Sequence, residues 1–238
     1  MRPSSVLVVA FTVLAAMPFS ARAQDHIYNL NGVYTDANAG PSLSPLGGTI
    51  AANGFSFAQN DGLSLTGVLG STYTIAMRFR FDDISGFRRI VDFKDRASDT
   101  GPYVLSGNAN FYNIMTGVNP IYAQNQLALS LFTRDASGIF SAYVGGVLQY
   151  TFSDVSNLAT VAVNTVRFFQ DDTAVGGEAS AGLVNYIATW NRALTAEQVR
   201  LFDPTGGNTI VPEPATIALF AAGLLCVAAA KRRYWFNA

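Results

Sequence analysis

The stretch Tyr73-Thr74-Ile75-Ala76-Met77-Arg78-Phe79-Arg80-Phe81 decides the fold class. Ile75, Met77, Phe79 and Phe81 fall on one side of an extended chain, and Thr74, Ala76, Arg78 and Arg80 fall on the other, because successive side chains of a strand point to opposite faces. The alternation predicts a strand with one buried face. The pattern recurs downstream, where Leu127, Leu129 and Leu131 alternate with Ala128, Ser130 and Phe132. Residues 140–144 and 147–152 flank Gly145-Gly146, and two glycines supply the positive φ that a two-residue primed hairpin turn needs. Residues 166–170 and 182–190 read as strands, with weaker ones near 55–57, 63–65, 88–93, 103–105 and 110–114. Turn residues separate them at Asn60-Asp61-Gly62, Ser85-Gly86, Asp99-Thr100-Gly101-Pro102 and Asp135-Ala136-Ser137-Gly138. One short helix stands out over 195–202. Thr195 caps it, Gln198 closes a capping box, and Val199 and Phe202 turn inward. Many short strands and one late helix predict a β-sandwich or barrel. The absence of a fixed repeat excludes a propeller or solenoid.

Composition narrows the function classes. The chain has 238 residues, of which 50% are apolar, so wholesale disorder is excluded. Charged residues make up only 13%, while Gly (21), Phe (17) and Tyr (10) are abundant, a balance that suits strands and turns. A net charge of −1 argues against a nucleic-acid partner, which calls for a concentrated basic surface. The single Cys (Cys226) excludes a disulfide framework and a cysteine zinc site. The single His (His26) excludes a multi-histidine metal cluster and a Ser-His-Asp arrangement, and its place at the mature N-terminus predicts a solvated side chain.

The two ends read as targeting segments. Residues 1–23 carry one early charge (Arg2), an apolar run over 6–17, a break at Pro18, and the small-x-small pattern Ala21-Arg22-Ala23. This predicts a secretory signal peptide cut by signal peptidase between Ala23 and Gln24. At the other end, residues 215–230 are free of charge, and Lys231, Arg232 and Arg233 follow. A helix over 214–230 that starts at Pro214 and lets Lys231 snorkel comes close to the roughly 30 Å of a hydrocarbon core. The basic triplet then stays in the cytoplasm. Both ends give the same topology, an exported domain with a C-terminal span. Residues 203–210 form a turn-prone linker.

Val211-Pro212-Glu213-Pro214, an apolar helix and a terminal Lys231-Arg232-Arg233 together resemble a PEP-CTERM sorting signal, with Pro212-Glu213-Pro214 matching the namesake tripeptide residue for residue. The resemblance implies a Gram-negative bacterial protein that is processed by an exosortase from an inner-membrane-anchored intermediate. It also implies a final place at the cell surface or in the extracellular matrix, associated with exopolysaccharide or biofilm. Two prolines cannot continue a helix or a sheet ladder, so the tripeptide is expected to stay extended and accessible. A second resemblance covers roughly 72–202. Leu129-Ser130-Leu131-Phe132 with the hairpin Tyr143-Val144-Gly145-Gly146 is similar to the strand pair of LamG-like domains, with Gly145 where Asn is usual. The closing stretch Ala193-Leu194-Thr195-Ala196-Glu197-Gln198-Val199 is similar to that family's final helix. It implies an all-β, concanavalin A-like jelly-roll sandwich over 24–202.

No catalytic set emerges from the residues. A glycoside hydrolase needs two carboxylates flanking the bond, and the only Glu residues between the ends are Glu178 in a loop and Glu197 on the helix. The expectation is therefore a non-enzymatic module that needs no cofactor. Ca²⁺ is the one candidate ion, through Asp171, Asp172 and Glu178 around one loop, since LamG-like domains often hold calcium at the sandwich rim. Solvated, turn-capping acids are the alternative. Extracellular polysaccharide is the candidate ligand. Tyr103, Phe111, Tyr112 and Tyr122 are its candidate stacking platforms, and Asn108, Asn110, Asn113, Asn119 and Asn125 its candidate amides. Core or edge packing is the alternative for those aromatics. Arg88-Arg89 and Lys94 with Arg96, opposite Asp92 and Asp95, read as a solvated strand face. The expected role is carbohydrate binding or adhesion; a purely structural matrix protein and a divergent glycan hydrolase are the alternatives.

Overall fold

The computed structural model describes residues 24–204. The predicted signal peptide, the tripeptide, the apolar segment 214–230 and the basic triplet lie outside the described residues. In chain order the strands are β1 (His26–Tyr28), β2 (Ser44–Leu46), β3 (Thr49–Ala51), β4 (Gly54–Phe57), β5 (Gly62–Thr66), β6 (Tyr73–Phe81), β7 (Phe87–Arg89) and β8 (Val91–Asp92). They continue with β9 (Pro102–Leu105), β10 (Asn108–Phe111), β11 (Met115–Thr116), β12 (Ala128–Arg134), β13 (Ile139–Val144), β14 (Val147–Ser153), β15 (Thr165–Phe168) and β16 (Gly182–Trp190), followed by helix α1 (Ala196–Leu201).

One layer is a large antiparallel sheet in the order β14-β13-β12-β6-β16-β4-β3, with β1 also on β16. The opposite layer consists of two four-stranded sheets, β2-β5-β15-β8 and β11-β10-β9-β7. The chain is thus an all-β sandwich with one short helix. The alternation in β6 explains its central place. Tyr73, Ile75, Met77, Phe79 and Phe81 all enter the main core, where they meet Leu63, Leu65, Val166 and Phe168 from one facing sheet and Val104, Ala109 and Phe111 from the other. Burying a large apolar side chain contributes about 1.5–3 kcal/mol, so this aromatic interior is the main source of stability. Within it, Phe57 and Phe169 stack at 4.4 Å.

The outer face of β6 is buried as well. Ala76 joins Leu131, Tyr186, Ala188 and Trp190 in a second cluster sealed by Val199 of α1. The leucine row of β12 faces this outer cluster, while Phe132 faces the main core. Thr195 caps α1 and Gln198 completes the capping box. The Gly145-Gly146 turn has φ of 57° and 78°, as a primed hairpin requires. His26 is tied rather than solvated: its Nδ1 lies 2.6 Å from Asp36 Oδ2, which pins β1 to the loop after it. Among the described residues no helix is long and apolar enough to cross a membrane.

Candidate functional site

The outer face of the β11-β10-β9-β7 sheet carries the site. Register places Arg89 opposite Tyr103, Tyr103 opposite Asn110, and Asn110 opposite Thr116, so these side chains form one row across the strands. Beside this row lies a cleft of about 350 Å³ lined by Phe87, Leu105, Asn110, Tyr112, Asn113, Ile114, Met115 and Thr116. Phe87 meets the ring of Tyr112 edge-on at 5.4 Å and that of Tyr103 at 5.6 Å. Asn110 donates to Met115 O (3.1 Å) and Thr116 Oγ1 (2.7 Å), while its Oδ1 has no partner. An aromatic wall, an apolar rim and a few amides form the kind of surface on which a sugar ring stacks and is hydrogen-bonded.

At the other end of the row sits a buried charge cluster. Arg89 is 0% exposed, so the reading of 88–96 as a solvated face fails. Its guanidinium donates to Thr100 O (2.9 Å), to Asp99 Oδ1 (3.2 Å) and to Asp172 Oδ2, and it lies 4.3 Å from the centre of the Tyr103 ring. Asp92 Oδ2 stands 3.7 Å from Nη1. The loops are shaped to deliver these acids. Asp95 and Arg96 adopt left-handed φ (52° and 69°), which brings the amides of Lys94 and Arg96 onto Asp92 Oδ1 at 2.8 and 3.0 Å. Phe169, buried and at φ 67°, turns the chain out of β15 ahead of Asp171 and Asp172.

Asp99, Asp172 and Glu178 bring carboxylate oxygens within 4.8 Å of one another. This corrects the sequence-based trio in one member. Asp171 is committed to backbone, accepting from the amides of Asp172 (3.1 Å) and Glu178 (2.8 Å), and Asp99 takes its place. Hard carboxylate oxygens suit Ca²⁺, yet the Arg89 guanidinium already neutralises Asp99 and Asp172 from within, so a divalent ion would be set against a fixed positive charge. The geometry favours the guanidinium as the cation of the cluster.

The electrostatics follow the contacts. Burial pushes Asp172 up, but the amides of Val175 and Ala174 together with Arg89 hold it below the usual carboxylate range. Burial prevails at Asp92, which is raised. Glu178 is pushed up to about 7, first by burial and then by Asp99 and Asp171; Tyr103 acts in the opposite direction. Tyr112 is raised, chiefly by the charge of Asp99.

Of the four aromatic candidates, only Tyr112 lines the cleft. Tyr103 is buried and donates to Asp99 Oδ1 at 2.7 Å; Phe111 lies in the core; and Tyr122 is buried with its hydroxyl 2.8 Å from Ser130 Oγ. Burial removes these three from any direct stacking surface. Asn110 and Asn113 reach the cleft. Sequence reasoning missed Phe87, Asp99 and Arg89. A partial signal for Arg89 was present: consecutive arginines on a strand point to opposite faces, so the two cannot share one solvated face.

Residues 211–233 match the model of the PEP-CTERM protein-sorting motif. The chain carries an exosortase sorting signal. Such a motif indicates export and membrane-anchored processing in a Gram-negative bacterium, as read from Pro212-Glu213-Pro214. No curated protein matches the chain. Among solved structures, the sandwich is similar to domain 4 of AbnA, an extracellular GH43 arabinanase from Geobacillus stearothermophilus solved with arabinotriose (17% identity, 74% of this chain, 96% of that one, TM-score 0.55). It is also similar to the botulinum neurotoxin serotype D binding domain (13% identity, 75% and 50% covered, TM-score 0.53). Trypanosoma rangeli sialidase, solved with sialic acid, is a third match (12% identity, 74% and 32% covered, TM-score 0.56). The chain spans about half of the toxin chain and a third of the sialidase chain. At these identities the likeness establishes the fold alone.

Proposed function

We propose that this exported chain is a non-catalytic glycan-binding module that serves adhesion within extracellular polysaccharide. The observation that carries this reading is the cleft on the outer sheet face, walled by Tyr112 and Phe87 and floored by the amide of Asn110. Its volume of about 350 Å³ suits a few sugar-sized groups. The arabinanase domain and the sialidase, both solved with saccharides, support the reading as carriers of the same fold. The non-catalytic part rests on the state of the acids. Asp99 is bonded to Tyr103 and Arg89, and Asp172 to Arg89 and two amides, so neither is free to flank a scissile bond.

The test is a glycan array probed with the exported chain and its Tyr112→Ala variant. Specific binding that is lost in the variant supports the proposal. Silence across a broad array favours a purely structural matrix role. Release of reducing sugar that disappears in Glu178→Gln would establish a hydrolase instead.

A further inference from the structure

The large sheet fixes the place of Gln24. Asp25 N donates to Thr189 O (2.9 Å), and Asp25 Oδ2 accepts from Asn191 N (2.5 Å), so the chain entering β1 is held along the end of β16. Gln24 O accepts from Asn38 Nδ2 at 2.7 Å. The residue is only 4% exposed, yet its side-chain amide is poorly served. Nε2 makes one long contact, 3.4 Å to the hydroxyl of Tyr186, and among the described residues Oε1 has no partner. Tyr186 is buried too, and that burial pushes its hydroxyl up to about 12. A cavity of about 280 Å³ adjoins the residue, with Gln24, Asn38, Tyr186, Asp203 and Pro204 in its lining.

A cut between Ala23 and Gln24 alters this place. It leaves an α-ammonium on a residue whose carbonyl, following amide and side chain are all tied to the sandwich. The new charge cannot swing into water without breaking those contacts, and a charge held away from water is costly. Glutamine carries a remedy within itself, because its α-nitrogen can reach its own Cδ and close a five-membered ring.

Resting on the signal-peptidase cut read from Ala21-Arg22-Ala23, we infer that Gln24 is a modification site and that the mature chain begins with a pyroglutamyl residue. The α-amine, as its free base, attacks Cδ of the side-chain amide. The new N–Cδ bond closes the lactam and the Cδ–Nε2 bond breaks. Nε2 leaves as ammonia, taking the proton that the α-nitrogen gives up. No oxidant and no second substrate enter, and holding amine and amide in one residue makes the step unimolecular. The cavity beside the residue gives the departing ammonia a way out. The product is uncharged and sheds the nitrogen whose only contact is the long one to Tyr186. The buried place thus accepts the lactam better than it accepts an ammonium.

Mass spectrometry of the exported chain and of its N-terminal peptide tests this. A terminus at residue 24, lighter than unmodified Gln24 by one ammonia and refractory to Edman degradation, is the expected result. An open Gln24 terminus overturns the inference and leaves the cut standing. A terminus at another residue overturns both. Gln24→Met gives a second measurement. Methionine has a similar length, cannot cyclise and keeps the ammonium, so this variant is expected to melt about 2–4 °C below the cyclised chain. Equal melting of the two would overturn the claim that this place selects an uncharged terminus.

Discussion

Arg89 has no exposure to solvent and faces Asp92, Asp99 and Asp172. Removing one partner of a buried ion pair leaves the other charges without compensation, which costs about 3–5 kcal/mol. Arg89→Met is therefore expected to lower unfolding stability by that amount in urea denaturation. Arg89→Lys should recover only part of it, because an ammonium cannot reproduce the planar fork that reaches Thr100, Asp99 and Asp172 at once. Glu178 gives a pH signature of its own. Its carboxyl is raised from 4.5 to about 7, so the folded state retains a proton that the unfolded chain releases at lower pH. Stability from this group is present below pH 4.5 and is lost as pH rises toward 7. Asp172 and Asp36 run the other way. Both are held below 3.8, so their contribution is present above that value and fades as pH falls through their depressed range. Thermal melts between pH 4.5 and 7 should show a declining slope that Glu178→Gln flattens; an unchanged slope would show that the carboxyl titrates normally.

At the scale of elements, the alternating segments were legible and the loops were not. Ile75, Met77 and Phe79 announced β6 because a half-buried strand imposes a period of two. Thr195 and Gln198 announced α1 because a helix start imposes its own chemistry. The short strands β1, β2, β3 and β11, of two or three residues, are too brief for any period to show. The site was only partly legible for a related reason. Phe111 and Tyr122 face the main core, whereas Tyr103 faces outward and is buried there against Asp99 of the 92–101 loop, a long-range event without a local signature that leaves Tyr112 lining the cleft. The hairpin joining β13 to β14 shows how narrowly a turn specifies its residues. A Cβ at Gly145 would have nothing within 4 Å, and φ there is 57°, a conformation Asn tolerates; at Gly146, with φ 78°, it would lie 3.2 Å from Arg200 Cα. Gly145→Asn is expected to be neutral or to stabilise by up to about 1 kcal/mol, whereas Gly146→Ala should cost about 1–3 kcal/mol. Chemical denaturation of the two variants measures the difference directly, and equal effects would mean that the turn relaxes around either residue.

For the whole molecule, near-neutrality conceals an uneven distribution of charge. Five of the 15 basic residues (Arg2, Arg22, Lys231, Arg232 and Arg233) lie in the two ends, against one of the 16 acids, Glu213. Residues 24–204 therefore carry 10 basic and 15 acidic side chains, a net charge of −5. Basic ends orient a chain across a membrane, while an acidic body stays soluble outside it. Separating the two by proteolysis would leave an acidic sandwich whose encounters with polycations are steered by charge and weakened by salt. Processing at the sorting motif is the step that makes this separation, and it has a direct measurement. When the chain is expressed with an exosortase, the mature protein is expected to lose the mass of the segment beyond the Pro212-Glu213-Pro214 region. Without the enzyme, that segment should remain and the protein should fractionate with the membrane. Substituting the tripeptide in the presence of the exosortase should reproduce the unprocessed state, because the sorting motif over 211–233 is then broken. An intact C-terminus in both backgrounds would mean that the segment serves as a permanent anchor. The acidic sandwich would then act from the membrane surface rather than from the matrix.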